Sequence, residues 1–524
     1  MIPVTRRAAL AGLAAPALPR FAAGQGADPR PSITVAVQKI ANSNTLDIAR
    51  ENSNVGTRHF SCYTEPLVDT DWIGTLAPRP GLALRWTRLD ERRVEVELRP
   101  GVRFHNGDEM VAEDVAASFG PERLFGGPDG IAARVPQEVR AQGRAVFPGL
   151  TVEVLGRHRL RFVTEKPDPS LDKRLGHRIG VVVSRRSLEE AENWLAWSRK
   201  PVGTGPYRIV EFRPDTSLAL EAFDDYWGGR PPLRRIRFLE VPEVASRIAG
   251  LLSGQYDFAC DIPPDQIGEI ERNRGFEVLG GLIANHRFIA FDKSHDQLRD
   301  PRVRRALTLS IDRKSIIDGL WAGRTEVPRG MQFPFYGAMY LEDWPQPRFD
   351  LAEARALVRG SGYRGDPIPY RLLNNYYTAQ TPTAQVLVEM WRAAGLNVQI
   401  QMRENWNQIL ETGAGRALRD WSSTVFIADP VSNMPGVWGR HGSHPASGEW
   451  RNEDAYAAVE ALETEMDTAR RRAAMRRLLT ILEQEDPAYA MLHQAANFTG
   501  KRRAIRWRAA QSFLMDFRPG NWDV

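Results

Sequence analysis

The chain is poor in cysteine: Cys62 and Cys260 are its only two in 524 residues. No Cys-x-x-Cys pair occurs, which excludes a disulfide framework and the common zinc and thioredoxin-like motifs. Long apolar runs are also missing, and no segment approaches the ~20 residues a membrane-spanning helix needs. Lysine is scarce, and arginine supplies nearly all of the positive charge. A formal charge of +5 is too small and too dispersed to mark a nucleic-acid surface. No Gly-x-Ser-x-Gly elbow, His-Glu-x-x-His helix or Cys/His nucleophile arrangement is present. The enzyme classes those motifs mark are therefore not indicated. An exported hydrolase with a dyad assembled by folding from the nine dispersed histidines stays as an alternative of another class.

What is present describes a globular protein. With 42% hydrophobic and 26% charged residues the chain buries a core, and its length calls for two or three lobes. The first 27 residues read as an address. Arg6-Arg7 precedes an apolar Ala8–Ala15 run, then Pro16, Pro19 and small residues to Ala27, the pattern of an export signal. The paired arginines favour the twin-arginine route over Sec, with cleavage expected near Ala23 or Ala27. Removing the segment with its three arginines takes the charge from +5 to +2. Neither cysteine lies in a lipobox, so the expected mature protein is periplasmic without a lipid anchor. In an oxidising compartment Cys62 and Cys260 stand either as two buried thiols or as a bridge.

The most informative segment is Val94 to Phe119. Val94, Val96 and Leu98 alternate with Glu95, Glu97 and Arg99, a half-buried strand. Pro100-Gly101 and Asn106-Gly107 are turn pairs, and a helix follows after Val111, which cannot accept first-turn N–H groups as an N-cap. Ser32–Val37 reads as a first strand, Asn52–Val68 as a helix, and Ile236–Val241 as a strand followed by an amphipathic Glu243–Leu252 helix. Asp300-Pro301, Asp312 and Asp467 read as helix starts. Asp350 with Glu353 reads as a capping box, and Pro382–Ala394 as a helix leading into a Leu396–Met402 strand. Arg470, Arg471, Arg472, Arg476 and Arg477 form the solvated face of the helix after Asp467. The glycines of Pro201–Tyr207 (PVGTGPY) are not a nucleotide loop, because Pro206 and a strand follow where a helix is needed. They are expected to give the chain unusual φ/ψ at a crossing between lobes.

In this order the segments resemble the family-5 solute-binding proteins of bacterial ABC importers. Leu98-Arg99, Gly101-Val102, Phe104-His105, Gly107, Ala112, Asp114-Val115 and Ser118 match one family motif. Pro201–Tyr207, Phe223–Gly229 and Asp300–Arg313 match others, and the likeness runs from about Ser32 to Trp507. It implies an α/β fold of the periplasmic-binding-protein type II: two lobes, mixed sheets and an extra third subdomain. The implied division is signal 1–27, lobe I 28–72, subdomain II 73–200, lobe I again 201–288, lobe III 289–488, and a C-terminal return 489–524. It also implies no catalysis, no cofactor and no nucleic-acid partner. A peptide or other small solute is captured between the lobes and passed to a membrane permease complex. Nickel–chelate, opine or saccharide cargo, and a role in chemotaxis, are alternatives on the same scaffold.

The expected site follows from position. Asn42, Ser43 and Asn44 end the first strand. Asn374, Tyr376 and Tyr377 end another, with Tyr376 where dipeptide binders have a ligand-contacting tyrosine and Asn374 where they have a carboxylate-gripping arginine. Replacing that arginine removes a bidentate fork. Trp406, Trp421 and Trp438 offer flat surfaces for stacking, with Trp406 read as core more than contact. Peptide binders place an Asp before an Asp-Pro pair to meet the peptide amine. Here Phe426 stands near that position, which leaves Asp429 of Asp429-Pro430 as the available carboxylate. Arg440 follows on a Gly/Ser loop, where His441 and His444 read as exposed, with transition-metal binding the lesser alternative.

Overall fold

The computed structural model describes residues 28–413 and 415–523; the expected export signal lies outside them. The Val94–Phe119 segment opens a four-stranded antiparallel sheet, ordered Ala83–Arg88, Arg93–Leu98, Arg159–Thr164, Leu150–Gly156. Val94 lies opposite Phe162 and Val96 opposite Leu160. These residues and Leu98 are buried with Val115, Trp194 and Trp197 in one core. Burying each such side chain contributes about 1.5–3 kcal/mol. The outward residues form ion pairs, Arg159 with Glu95 and Arg161 with Glu153. Gly101 and Gly107 have φ of +74° and +91°, as their turns require. The Ala112–Ser118 helix starts on half a capping box: Asp114 Oδ2 accepts the Val111 N–H at 2.9 Å, and the valine returns nothing.

A ten-stranded mixed sheet runs through the rest. Ser32–Val37 pairs in parallel with Arg235–Glu240 and Phe258–Ala259. Two long strands, Phe276–Phe291 and Tyr489–Arg502, pair antiparallel along most of their length. Their register breaks between Leu282 and His286. One end of the pair joins Phe258–Ala259 through Tyr489–Arg502. The other end pairs Phe276–Phe291 with Leu418–Thr424, which continues to Ile368–Leu373 and Val398–Arg403. The sheet thus carries two cores on one continuous backbone. Ile33, Val35, Val37, Phe238 and Phe258 belong to the first. Ile289, Tyr370, Leu372, Leu418 and Trp391 belong to the second, beneath the Pro301–Leu309 and Gln380–Ala393 helices.

Asp300, Asp312 and Asp467 each cap the helix that follows. Several expectations change. Asn52–Val68 is not one helix: only Asn54–Thr57 is helical, then a 3-10 turn at Phe60–Cys62 and strands at Glu65–Pro66 and Val68–Thr70. Pro66 holds Glu65 extended, and Tyr63 donates its hydroxyl to the Leu46 carbonyl instead of facing a helix neighbour. Asp350 caps the Leu351–Gly360 helix, but Glu353 does not reach back; its carboxylate takes Arg305 and Arg348. Gly203 and Gly205 are absent from the left-handed region. They are glycine because a Cβ would stand 2.1 Å from the Tyr63 carbonyl oxygen at Gly203 and 2.6 Å from that of Cys62 at Gly205. His105 secures the same crossing, its N–H to the Gly203 carbonyl and its ring to Gly205. Cys62 and Cys260 are buried and free, and burial raises both thiol pKa values. Arg471 also leaves the solvated arginine face, being buried on Asp429.

Candidate functional site

Three parts of the chain meet around a cavity of about 430 Å³. The first wall is the loop after Ser32–Val37. Glu51, 1% exposed, folds this loop back on itself. It accepts the N–H groups of Asn42 (2.9 Å) and Ser43 (2.7 Å), the Ser43 hydroxyl (2.5 Å) and the Ser53 hydroxyl. Burial pushes its carboxyl above the usual range while these four donors pull it back. Asn42 and Ser43 are thereby fixed at the cavity, the Ser43 hydroxyl spent on Glu51 and Thr45.

The second wall is Tyr376, Tyr377, Trp406 and Trp421. The tyrosines sit in a turn between the Ile368–Leu373 strand and the Gln380–Ala393 helix, with Asn375 and Ala379 at positive φ of 49° and 54°. Trp406 stands edge-on to Tyr376 at 5.0 Å and to Trp421 at 5.2 Å. It is half-buried in the wall, not core. Arg287 and Arg419 lie over the Tyr377 and Trp421 rings at 3.2 Å and 4.0 Å, which stiffens the aromatic surface from behind. Polar bridges cross between the walls: Asn42 Nδ2 to the Tyr376 hydroxyl at 2.9 Å and Asn54 Nδ2 to the Ser422 hydroxyl at 3.1 Å.

The third part comes from the extra subdomain: Glu138, Gln142, His177 and Arg178. Arg178 is 7% exposed. Its Nη1 donates to the Ser53 carbonyl at 3.1 Å and to the Thr57 hydroxyl, and its Nη2 to Asn52. All three acceptors are neutral, and among the described residues no carboxylate forms an ion pair with it. Its guanidinium lies over the Phe426 ring at 4.0 Å. Burial brings its pKa down to about 9. His177, beside Phe426, is held neutral by burial and by the neighbouring arginines.

Of the residues expected at the site, Asn42, Ser43, Tyr376, Tyr377, Trp406, Trp421 and Phe426 line this cavity; Asn44, Asn374, Asp429, Trp438 and Arg440 do not. Asn44 is exposed, its carbonyl taking Arg199 Nε at 3.3 Å, and Asn374 is exposed at the head of the tyrosine turn. Asp429, 0% exposed, is filled by protein donors. Arg471 reaches both its oxygens at 2.5 and 2.9 Å, Lys173 reaches Oδ2 at 3.0 Å, and the Val431 N–H reaches Oδ1 at 3.2 Å. Trp438 is core, stacked on His444 at 4.4 Å and donating to Met331. Arg440 pairs with Glu453 at the surface. His444 is buried rather than exposed, because Glu449 accepts from it at 2.7 Å; His441 stays outside. Among the described residues no group of three or more His, Cys, Asp or Glu has metal-holding geometry. Sequence reasoning missed Glu51, Asn52, Asn54, His177, Arg178 and the hydroxyls of Ser422–Thr424. Only the polar density of Glu51–Asn54 signals them.

The model of the bacterial extracellular solute-binding proteins, family 5 Middle, matches residues 77–439. The oligopeptide-binding protein AppA of Bacillus subtilis is 25% identical over 339 residues, 60% of this chain and 59% of its own. The di/tripeptide-binding protein 2 of Pseudomonas aeruginosa is 24% identical over 533 residues, 95% of this chain and 96% of its own. Among solved structures, a dipeptide binding protein from Pseudoalteromonas sp. SM9913 in complex with Met-Leu superposes with a TM-score of 0.83. It is 18% identical, with 94% of this chain and 99% of that one covered. This likeness carries the fold, an α/β type II periplasmic-binding-protein architecture.

Proposed function

The chain belongs to the bacterial extracellular solute-binding proteins of family 5, and on that premise we propose that it is the receptor of an ABC importer for a peptide or peptide-like solute. The observation that carries this reading is the 430 Å³ cavity. It is walled by aromatic faces on one side and by fixed amides and hydroxyls on the other, the composition of a small-molecule site. Peptide-binding relatives favour peptide-like cargo. The Asn42–Tyr376 and Asn54–Ser422 bridges join the walls across the cavity, so they are contacts that form when the lobes close and open when they part. No helix of the described residues is long and apolar enough to cross a membrane. The working form in this reading is an exported, periplasmic monomer that hands its solute to a membrane permease. Residues 1–27 act as its signal, and the lobe divisions expected from the sequence act as its moving bodies.

Native mass spectrometry of the mature protein, before and after mild unfolding, tests the reading. A peptide or similar small molecule released on unfolding is the expected result. Turnover of candidate peptides or esters by the purified protein would instead make it a hydrolase.

A further inference from the structure

The charges around the cavity are unevenly compensated. Glu51 is fully buried, and its two oxygens already accept four donors, the full lone-pair capacity of a carboxylate. Asp429, on the neighbouring loop, is filled in the same way by Arg471, Lys173 and Val431. Glu138 lies on the open rim, 56% exposed and paired with Arg50 at 3.0 Å, where an added ion pair contributes little. His177 is neutral. An incoming ammonium would therefore lose its water and find no buried carboxylate with capacity to spare, only neutral oxygens such as Asn433 Oδ1, which is costly.

Arg178 is the reverse case. Of five guanidinium N–H groups, three meet neutral oxygens, and Nε has no partner. Its positive charge sits on the cavity wall without a carboxylate within ion-pair distance. A buried guanidinium with no carboxylate in contact, Glu51 acting on it only from beyond ion-pair distance, is suited to a carboxylate or another planar oxyanion of a ligand.

Resting on the receptor reading, we infer that the cavity selects solutes that present an anionic group to Arg178 and carry no free amine: N-blocked peptides or comparable amine-free carboxylates. The aromatic wall of Tyr376, Trp406 and Trp421 then holds the ligand's apolar part opposite that anchor. Selectivity comes from both halves, an anchor for one charge and saturation of the buried carboxylates that would meet the other.

Calorimetric titration of the full mature protein, freed of retained solute, with three probes tests this. The probes are N-acetyl-Ala-Ala-Phe, Ala-Ala-Phe, and Ala-Ala-Phe carboxamide. The acetylated acid is expected to bind at least about tenfold more tightly than the free-amine carboxamide, with the zwitterion between them, the size of one charge-assisted hydrogen bond. In Arg178→Gln the preference collapses, and in Arg178→Lys it is partly kept. Melting temperatures of both variants report whether they fold, and the wild-type comparison stands without them. Equal or tighter binding of the carboxamide overturns the inference, as does an undiminished preference in a folded Arg178→Gln. Failure of all three probes at millimolar concentration also overturns it. The receptor reading falls separately, if native mass spectrometry finds no small molecule retained.

Discussion

Asp429 and Arg178 are both ionic groups withdrawn from water near the same cavity, and their surroundings differ in one respect. Asp429 has a donor for every lone pair and two cations against it. Arg178 has only neutral acceptors and a phenyl ring. The first arrangement is closed and joins the Thr468–Thr480 helix, the Asp429 loop and the extra subdomain into one body. The second leaves interaction energy unused by the fold, and so available to a ligand. A buried charge is informative about function according to how much of its bonding capacity the protein itself consumes.

The comparison is broken most strongly at the closed centre. Arg471→Met leaves a buried carboxylate with Lys173 as its one cation and the Val431 N–H as its other donor, and is expected to lose about 3–5 kcal/mol of stability in urea unfolding. Solute affinity per folded molecule should not change. A loss of affinity without a loss of stability would reverse the assignment of the two centres.

Acid sharpens the same point. The Arg471 and Lys173 cations hold the Asp429 carboxyl near 2, against an ordinary value of 3.8. A depressed folded-state pKa contributes stability that is present above about 3.8 and lost as pH falls towards 2, worth about 2 kcal/mol. In Asp429→Asn that share of the acid limb is absent, so the wild-type and variant urea midpoints should converge between pH 4 and pH 2. Parallel curves would show that Asp429 does not titrate as described.

At the open centre the effects fall on binding. Tyr376→Ala removes the ring that both packs on Trp406 and bridges to Asn42, and is expected to weaken solute binding at least tenfold, about 1.4 kcal/mol. Unchanged affinity for the retained solute would remove Tyr376 from the wall. Asn42→Ala deletes only the bridge to the Tyr376 hydroxyl. A single neutral hydrogen bond of about 0.5–1.5 kcal/mol predicts a few-fold faster dissociation, with association little changed, in stopped-flow tryptophan fluorescence.

The framework was legible in the sequence because periodicity, turn pairs and caps act over a few residues. Val94, Val96 and Leu98 point inward as their alternation requires, and Asp300, Asp312 and Asp467 cap the helices that follow them. Of the aromatic wall, Tyr376 and Tyr377 were legible by their position after a strand end, whereas Trp406 read as core. What was not legible depends on contacts between distant segments. Arg471 looks like its neighbours at helical spacing until Asp429 arrives from another loop. His444 sits in a run that reads as exposed until Glu449 pairs with it. Glu51 and Arg178 carry no local pattern at all; their roles come from which donors and acceptors the folded chain leaves around them. The Asn52–Val68 segment failed for a nearer reason, since Pro66 and the Tyr63 hydroxyl's bond to the Leu46 carbonyl override its helical spacing.

The most direct measurement is a crystal structure of the protein with N-acetyl-Ala-Ala-Phe bound. A ligand carboxylate oxygen is expected about 3 Å from a guanidinium nitrogen of Arg178, with Asp429 still held by Arg471 and Lys173. A ligand whose carboxylate lies away from Arg178, or a free-amine peptide bound with its ammonium on Asp429 and Arg471 displaced, would contradict it.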